Sequence, residues 1–155
     1  MEIWINPACS KCRAATELLD AAGAQYTVRR YLEDPPTADE LDAVLTRLGL
    51  EPWDIARTGE PIAQELGLAE LPRERRRWLE VMAAHPILIQ RPIITADDGT
   101  TVVGRSPDAV RRVLDANAGG GQLLGVGVAL VAQRVELGRR DHRRRQPGQG
   151  RRPDR

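Results

Sequence analysis

Strand, helix and strand follow one another in the first thirty-one residues, and the turn between the first two holds a pair of cysteines. Glu2–Ile5 is a short apolar stretch, Ser10–Ala22 carries helical spacing, and Gln25–Tyr31 alternates as a second strand. Elements in this order and of this length build a βαβ unit with two parallel strands, so the chain is committed from its start to an α/β fold. The helical spacing puts Ala14, Leu18, Leu19 and Ala22 on the inward face. Gly23 is the stop signal.

The turn reads Asn6-Pro7-Ala8-Cys9-Ser10-Lys11-Cys12-Arg13. It sets a thiol at the N-terminus of a helix. A helix end acts as roughly half a positive charge and offers unpaired N–H groups. Both favour thiolate over thiol, and thiolate is the reactive form. An unperturbed cysteine, with a pKa of about 8.5, is only slightly ionised at neutral pH, so this placement matters. Cys9 is the candidate nucleophile, and the same helix end is a ready anion site.

Further along, Thr37 reads as an N-cap and Glu40 completes a capping box. The helix behind it turns Leu41, Val44, Leu45 and Leu48 inward and stops at Gly49. Pro61–Leu66 and about Arg73–Ala84 read as two more helices, the second burying Trp78, Leu79 and Met82. Pro86–Ile89 and Pro92–Thr95 have the composition of strands. Asp98-Gly99 signals a two-residue hairpin before a strand at Thr101–Val103. Ser106-Pro107-Asp108 opens a last helix with a capping serine, a proline at its first position and an acid in its first turn; it carries Val110, Val113 and Leu114.

From Gly119 the character changes. Residues 1–118 carry 14 Lys/Arg against 19 Asp/Glu, whereas residues 119–155 carry 9 against 3. The expected organisation is therefore one domain over residues 1–118, with a helical insertion at about 37–84, and a Gly/Arg-rich disordered tail over 119–155. The formal net charge of the whole chain is only +1, so charge names no partner and no nucleic-acid partner is expected. The chain opens directly on a strand, and no apolar run approaches the roughly 18 residues of a membrane span. A cytoplasmic location without membrane association is the expectation. Thiols are normally reduced there, so two cysteines three apart suggest redox chemistry more than a structural staple.

Cys9 and Cys12 lie at one helix end, where a disulfide between them is geometrically reasonable. Zinc is the competing use of such a pair, but it needs four ligands. Beyond the two cysteines only His85 and His142 are on offer, so no metal is expected. Four arginines could bind an oxyanion, since a guanidinium matches a pair of oxygens. Arg13 lies in the first turn after the cysteines, Arg57 between helices, and Arg105 just before the last helix. Arg91 stands out, because it sits between Ile87-Leu88-Ile89 and Pro92-Ile93-Ile94. A charge in such surroundings is costly without a partner or ligand.

The chain resembles the arsenate reductase family of the glutaredoxin-linked type. The resemblance is carried by Asn6-Pro7-Ala8-Cys9, by Tyr31-Leu32-Glu33-Asp34-Pro35-Pro36, by Glu65-Leu66-Gly67-Leu68, by Arg105-Ser106-Pro107 and, most specifically, by His85-Pro86-Ile87-Leu88-Ile89-Gln90-Arg91-Pro92-Ile93. Together these span about residues 2–117. The resemblance implies a thioredoxin-like fold, a mixed sheet with an inserted helical subdomain. It also implies an oxidoreductase of arsenic detoxification that reduces arsenate to arsenite. Cys9 would attack arsenate to give a cysteine–arsenic adduct, and Arg57, Arg91 and Arg105 would bind the oxyanion. Pro92 would be the thioredoxin-fold proline beside the active cysteine, commonly cis. No cofactor would be bound. Glutathione or another low-molecular-weight thiol would serve as co-substrate, with glutaredoxin or thioredoxin as electron donor.

Two departures accompany the resemblance. The best-studied branch has a histidine directly before Asn-Pro, where this chain has Ile5, so thiolate formation would rest on the helix end and the arginines. Cys12 stands where the reductases often have serine or threonine. A Cys-x-x-Cys there resembles the Spx-type redox-sensing transcriptional regulators, which lack the full arginine set. A general thiol–disulfide oxidoreductase is the other alternative. In the reductase reading Cys12 could resolve the Cys9 adduct.

Overall fold

The computed structural model describes residues 1–118. The order of elements is β1 (Glu2–Ile5), α1 (Ser10–Ala21), β2 (Thr27–Arg30), α2 (Ala38–Leu48), α3 (Pro52–Ile55), α4 (Pro61–Glu65), α5 (Arg75–Ala84), β3 (Ile93–Thr95) and β4 (Thr101–Val103). A final helix, α6, is described over 107–118. The expected tail, 119–155, lies outside the described residues.

The strands form one sheet in the order β2-β1-β3-β4. β1 and β2 are parallel, and the other two pairings are antiparallel. The period of two along a strand sends alternate side chains to opposite faces. Ile3, Ile94 and Val102, neighbours across the sheet, pack with Ala15 and Leu19 of α1 and with Val110 and Val113 of α6. Trp4 and Ile93 point the other way, into a core with Leu41, Leu45, Trp78, Leu79 and Met82 from the inserted helices. The mixed sheet with helices inserted between β2 and β3 is the fold that the resemblance implies.

Local sequence explains the helix ends. Thr37 accepts from the Glu40 N–H at 3.1 Å while the Glu40 carboxylate accepts from the Thr37 N–H at 3.2 Å, so the capping box forms. Gly49 ends α2 at φ 69°, a left-handed conformation that costs glycine little. Ser106 Oγ accepts from the Ala109 N–H at 3.2 Å and caps α6.

Four expectations need correction. The buried line of α1 is Cys12, Ala15 and Leu19, while Leu18 is 36% exposed and Ala14 and Ala22 are exposed. The small Ala15 lets the helix approach Ile3, so packing selects a stripe other than the one with the most leucines. Strand β2 is shorter than Gln25–Tyr31, and Tyr31 is fully buried in the turn beyond it. Pro86–Ile89 is not a strand: Pro86–Leu88 make a 3₁₀ turn, and Ile89 joins Ala56 in a single antiparallel bridge. Pro86 has no N–H to give a ladder, whereas the 3₁₀ turn needs none from it. Finally, the β3–β4 loop has three residues. Ala96 pairs with Thr100 and also accepts from the Gly99 N–H, and Gly99 takes φ 92°. That is a turn followed by a left-handed glycine, the common three-residue form.

Candidate active site

Asn6 builds the loop before α1. Its side-chain oxygen accepts from the Ala8 N–H at 3.0 Å, and its carbonyl accepts from the Cys9 N–H at 2.9 Å. The loop delivers Cys9 as the N-cap of α1 with extended torsions, φ −87° and ψ 124°. Cys9 is partly exposed and Cys12, one turn along, is 1% exposed; both are free thiols.

The two thiols are driven apart. Burial raises the Cys9 pKa, but the Cys12 N–H, the Arg91 guanidinium, the Cys12 thiol and the Lys11 N–H outweigh it and bring Cys9 down to about 7. No conventional cap hydrogen bond reaches the sulfur, so the N–H groups act through its charge. Cys12 moves the other way, to about 11, chiefly because burial opposes its ionisation, with the neighbouring Cys9 adding to the effect. Near pH 7 about half of Cys9 is therefore thiolate, while Cys12 keeps its proton.

Arg91 stands beside this pair, next to a cis Arg91–Pro92 peptide bond. The carbonyl of Pro92 accepts from the Gly104 N–H at 2.8 Å, which ties this turn to the end of β4. A Cβ on Gly104 would stand 2.7 Å from Ile94 Cδ1 and 3.3 Å from Pro92 Cγ, so the close approach uses the missing side chain. Arg91 Nε and Nη1 are buried with no hydrogen-bond partner among the described residues. Buried donors without partners typically cost about 1–3 kcal/mol each, more when charged, unless a ligand supplies acceptors.

Arg105 donates from Nη1 to the Arg91 carbonyl at 2.8 Å. Arg57 is held at 3.1 Å by Glu60 and at 2.9 Å by the Gln90 side-chain oxygen. Its backbone donates to the Leu88 carbonyl at 2.7 Å, and Gln90 donates to the Ile55 carbonyl at 3.1 Å, so the segment after α3 is laced to the one before Arg91. Arg91 and Arg105 are thus linked directly, and Arg57 is tied to Gln90, the residue before Arg91. Arg13 is exposed, and its side chain is not among the groups that shift either thiol.

The sequence pattern gives no role to Tyr31, Glu60 or Gln90. Tyr31 is buried, with its hydroxyl 3.4 Å from the Ile89 carbonyl, and burial raises its pKa to about 12 despite the nearby Arg91 charge. The only signal in the sequence was adjacency: Gln90 precedes Arg91, and Tyr31 opens the Tyr31–Pro36 segment.

Comparison with known proteins places this geometry in company. Residues 4–113 match the ArsC family. An uncharacterized protein in the glnII region of Streptomyces viridochromogenes is 67% identical over 117 residues, covering 74% of this chain and 98% of that protein. The arsenate reductase of Escherichia coli K12 is 36% identical over 117 residues, covering 76% and 83%. The solved arsenate reductase of Vibrio cholerae superposes with a TM-score of 0.68 at 35% identity, over 73% of this chain and 98% of that one.

Proposed function

The chain belongs to the ArsC family, and from that premise we propose that it reduces arsenate to arsenite through an adduct on Cys9. The observation that carries this reading is Arg91: a cation with two buried, unpartnered N–H groups beside a thiol lowered to about 7. Such a site suits a small oxyanion that must be both bound and attacked. A tetrahedral oxyanion presents several acceptors at once, and a guanidinium fork meets two of them. The helix end adds N–H groups and positive potential.

The Cys9 thiolate attacks arsenic, and one oxygen leaves as water after protonation. Arg91 neutralises charge on the remaining oxygens as the adduct forms. Arg57 and Arg105 complete the cradle or hold it. A second thiol then attacks the Cys9 sulfur, arsenic takes the electron pair of the breaking S–As bond, and arsenite departs. Pro92 shapes the turn beside the thiol. The protein itself needs no bound cofactor for these steps, since the electrons come from thiols. Among the described residues no helix is long and apolar enough to cross a membrane.

The test is arsenate-dependent consumption of reducing equivalents, with glutathione plus glutaredoxin in one series and thioredoxin in another. Turnover that requires arsenate and Cys9 supports the reading. Reduction of protein disulfides without any response to arsenate favours the second reading, a thiol–disulfide oxidoreductase, for which the buried Cys12 beside Cys9 is the supporting observation.

A further inference from the structure

Cys12 is a buried thiol with no part in holding an oxyanion. It is 1% exposed, it lies one helical turn from Cys9, and each thiol is among the groups that shift the other's pKa. Cys12 is the third residue of the helix that Cys9 caps. Cys9 is the N-cap and its torsions are extended, so it can turn toward Cys12 without unwinding the helix behind it. A disulfide needs the two Cβ atoms within about 3.5–4.5 Å, which one turn at a helix start allows.

On the reading that Cys9 carries the arsenic adduct, we infer that Cys12 is the thiol that resolves it, and that the protein's reductant is a dithiol redox protein and not a monothiol. The Cys12 sulfur attacks the Cys9 sulfur, and the S–As bond breaks with its electron pair going to arsenic. The Cys12 proton passes to an arsenite oxygen. Two thiols lose two electrons, As(V) gains two, and the products are arsenite and a Cys9–Cys12 disulfide.

Two features favour Cys12 over a thiol from solution. It is already in place, and a reactant held in position acts at an effective concentration far above any millimolar solute. An oxygen on the adduct's arsenic takes the Cys12 proton as the sulfur attacks, so the thiolate, the reactive form, is generated in place. Of the two cysteines Cys9 is partly exposed and Cys12 is buried, so the Cys9 sulfur is the one within reach of a thiol from solution. A monothiol that attacks there forms a mixed disulfide, which Cys12 can attack in turn to expel it. A dithiol escapes this reversal, because its own second thiol completes the exchange and frees Cys9.

The experiment mixes fully reduced, full-length protein with arsenate and no added thiol, then measures arsenite and maps disulfides by mass spectrometry. Wild type is expected to release close to one arsenite per chain and to accumulate the Cys9–Cys12 disulfide, at a rate independent of protein concentration. Cys12→Ser and Cys12→Ala are expected to release less than a tenth of that, and added glutathione is expected to restore release. Thioredoxin is expected to sustain at least ten-fold more wild-type turnover than glutathione alone. Arsenite release by wild type only when glutathione is present, at the same rate as Cys12→Ser, overturns the inference and leaves the Cys9 reading standing. Absence of arsenite from wild type with every thiol overturns both. The disulfide measurement on wild type does not depend on how the Cys12 variants fold.

Discussion

Arg105 donates a hydrogen bond from its guanidinium to the backbone carbonyl of Arg91 at 2.8 Å. The contact fixes the segment that carries the guanidinium beside Cys9. It makes Arg105 a support for Arg91 as well as a further positive charge at the site.

Removing that support separates position from charge. Arg105→Ala is expected to lower kcat/KM for arsenate by about 10- to 100-fold, the scale of a lost charge-assisted hydrogen bond. The Cys9 pKa is expected to stay within half a unit of the wild type. Steady-state kinetics beside the pH dependence of Cys9 alkylation check both. A rise in the Cys9 pKa as large as that in an Arg91 variant would count against the positioning role.

Cys9 should alkylate as a thiol with a pKa of about 7. Its rate is expected to rise with pH through neutrality and level off above about 8, because the thiolate is the nucleophile. Arg91→Gln removes a cation that favours the anion, so the midpoint is expected to move upward, toward the unperturbed value of about 8.5. Iodoacetamide kinetics with Cys12→Ser as the background isolate the Cys9 signal. A midpoint that stays put in Arg91→Gln would remove Arg91 from the activation of the thiol.

The capping box at Thr37 is a stability feature apart from the cysteines. Thr37→Ala is expected to cost about 1 kcal/mol, with the oxyanion site unaffected. Urea unfolding gives the first quantity and arsenate kinetics the second.

On α1, Leu19 and Leu18 are adjacent but unequal. Leu19 is fully buried between the sheet and α6, and Leu18 is 36% exposed. Leu19→Ala is expected to cost about 2–5 kcal/mol through lost burial and a residual cavity. Leu18→Ala is expected to stay within about 0.5 kcal/mol, as surface substitutions usually do. Urea midpoints for the two variants check the assignment of the face.

This last pair also shows how far the sequence could be read. The order of elements was legible because strand and helix periods, the Thr37–Glu40 box, Gly49 and Ser106-Pro107 are local signals. The inward stripe of α1 was not, since it depends on how closely Ala15 approaches Ile3 across chain separation. The segment before Ile89 looked like a strand by composition, and Pro86 decided otherwise. At the site, Cys9, Cys12 and Arg91 stood out from motif spacing and from a charge among apolar residues. What was hidden were the contacts between distant parts of the chain: Arg57 with Gln90, Arg105 with the Arg91 carbonyl, and Tyr31 beside Arg91. None leaves a local pattern, because each joins segments that only the fold brings together.

The central claim is that arsenate is reduced at Cys9. The most direct measurement is chromatographic separation of arsenite from arsenate after incubation with reduced wild-type protein, or with Cys9→Ser, under one common supply of glutathione, glutaredoxin and thioredoxin. The account predicts arsenite from the wild type and none above the protein-free control from Cys9→Ser. Equal arsenite from the two proteins, or none from the wild type, would contradict it.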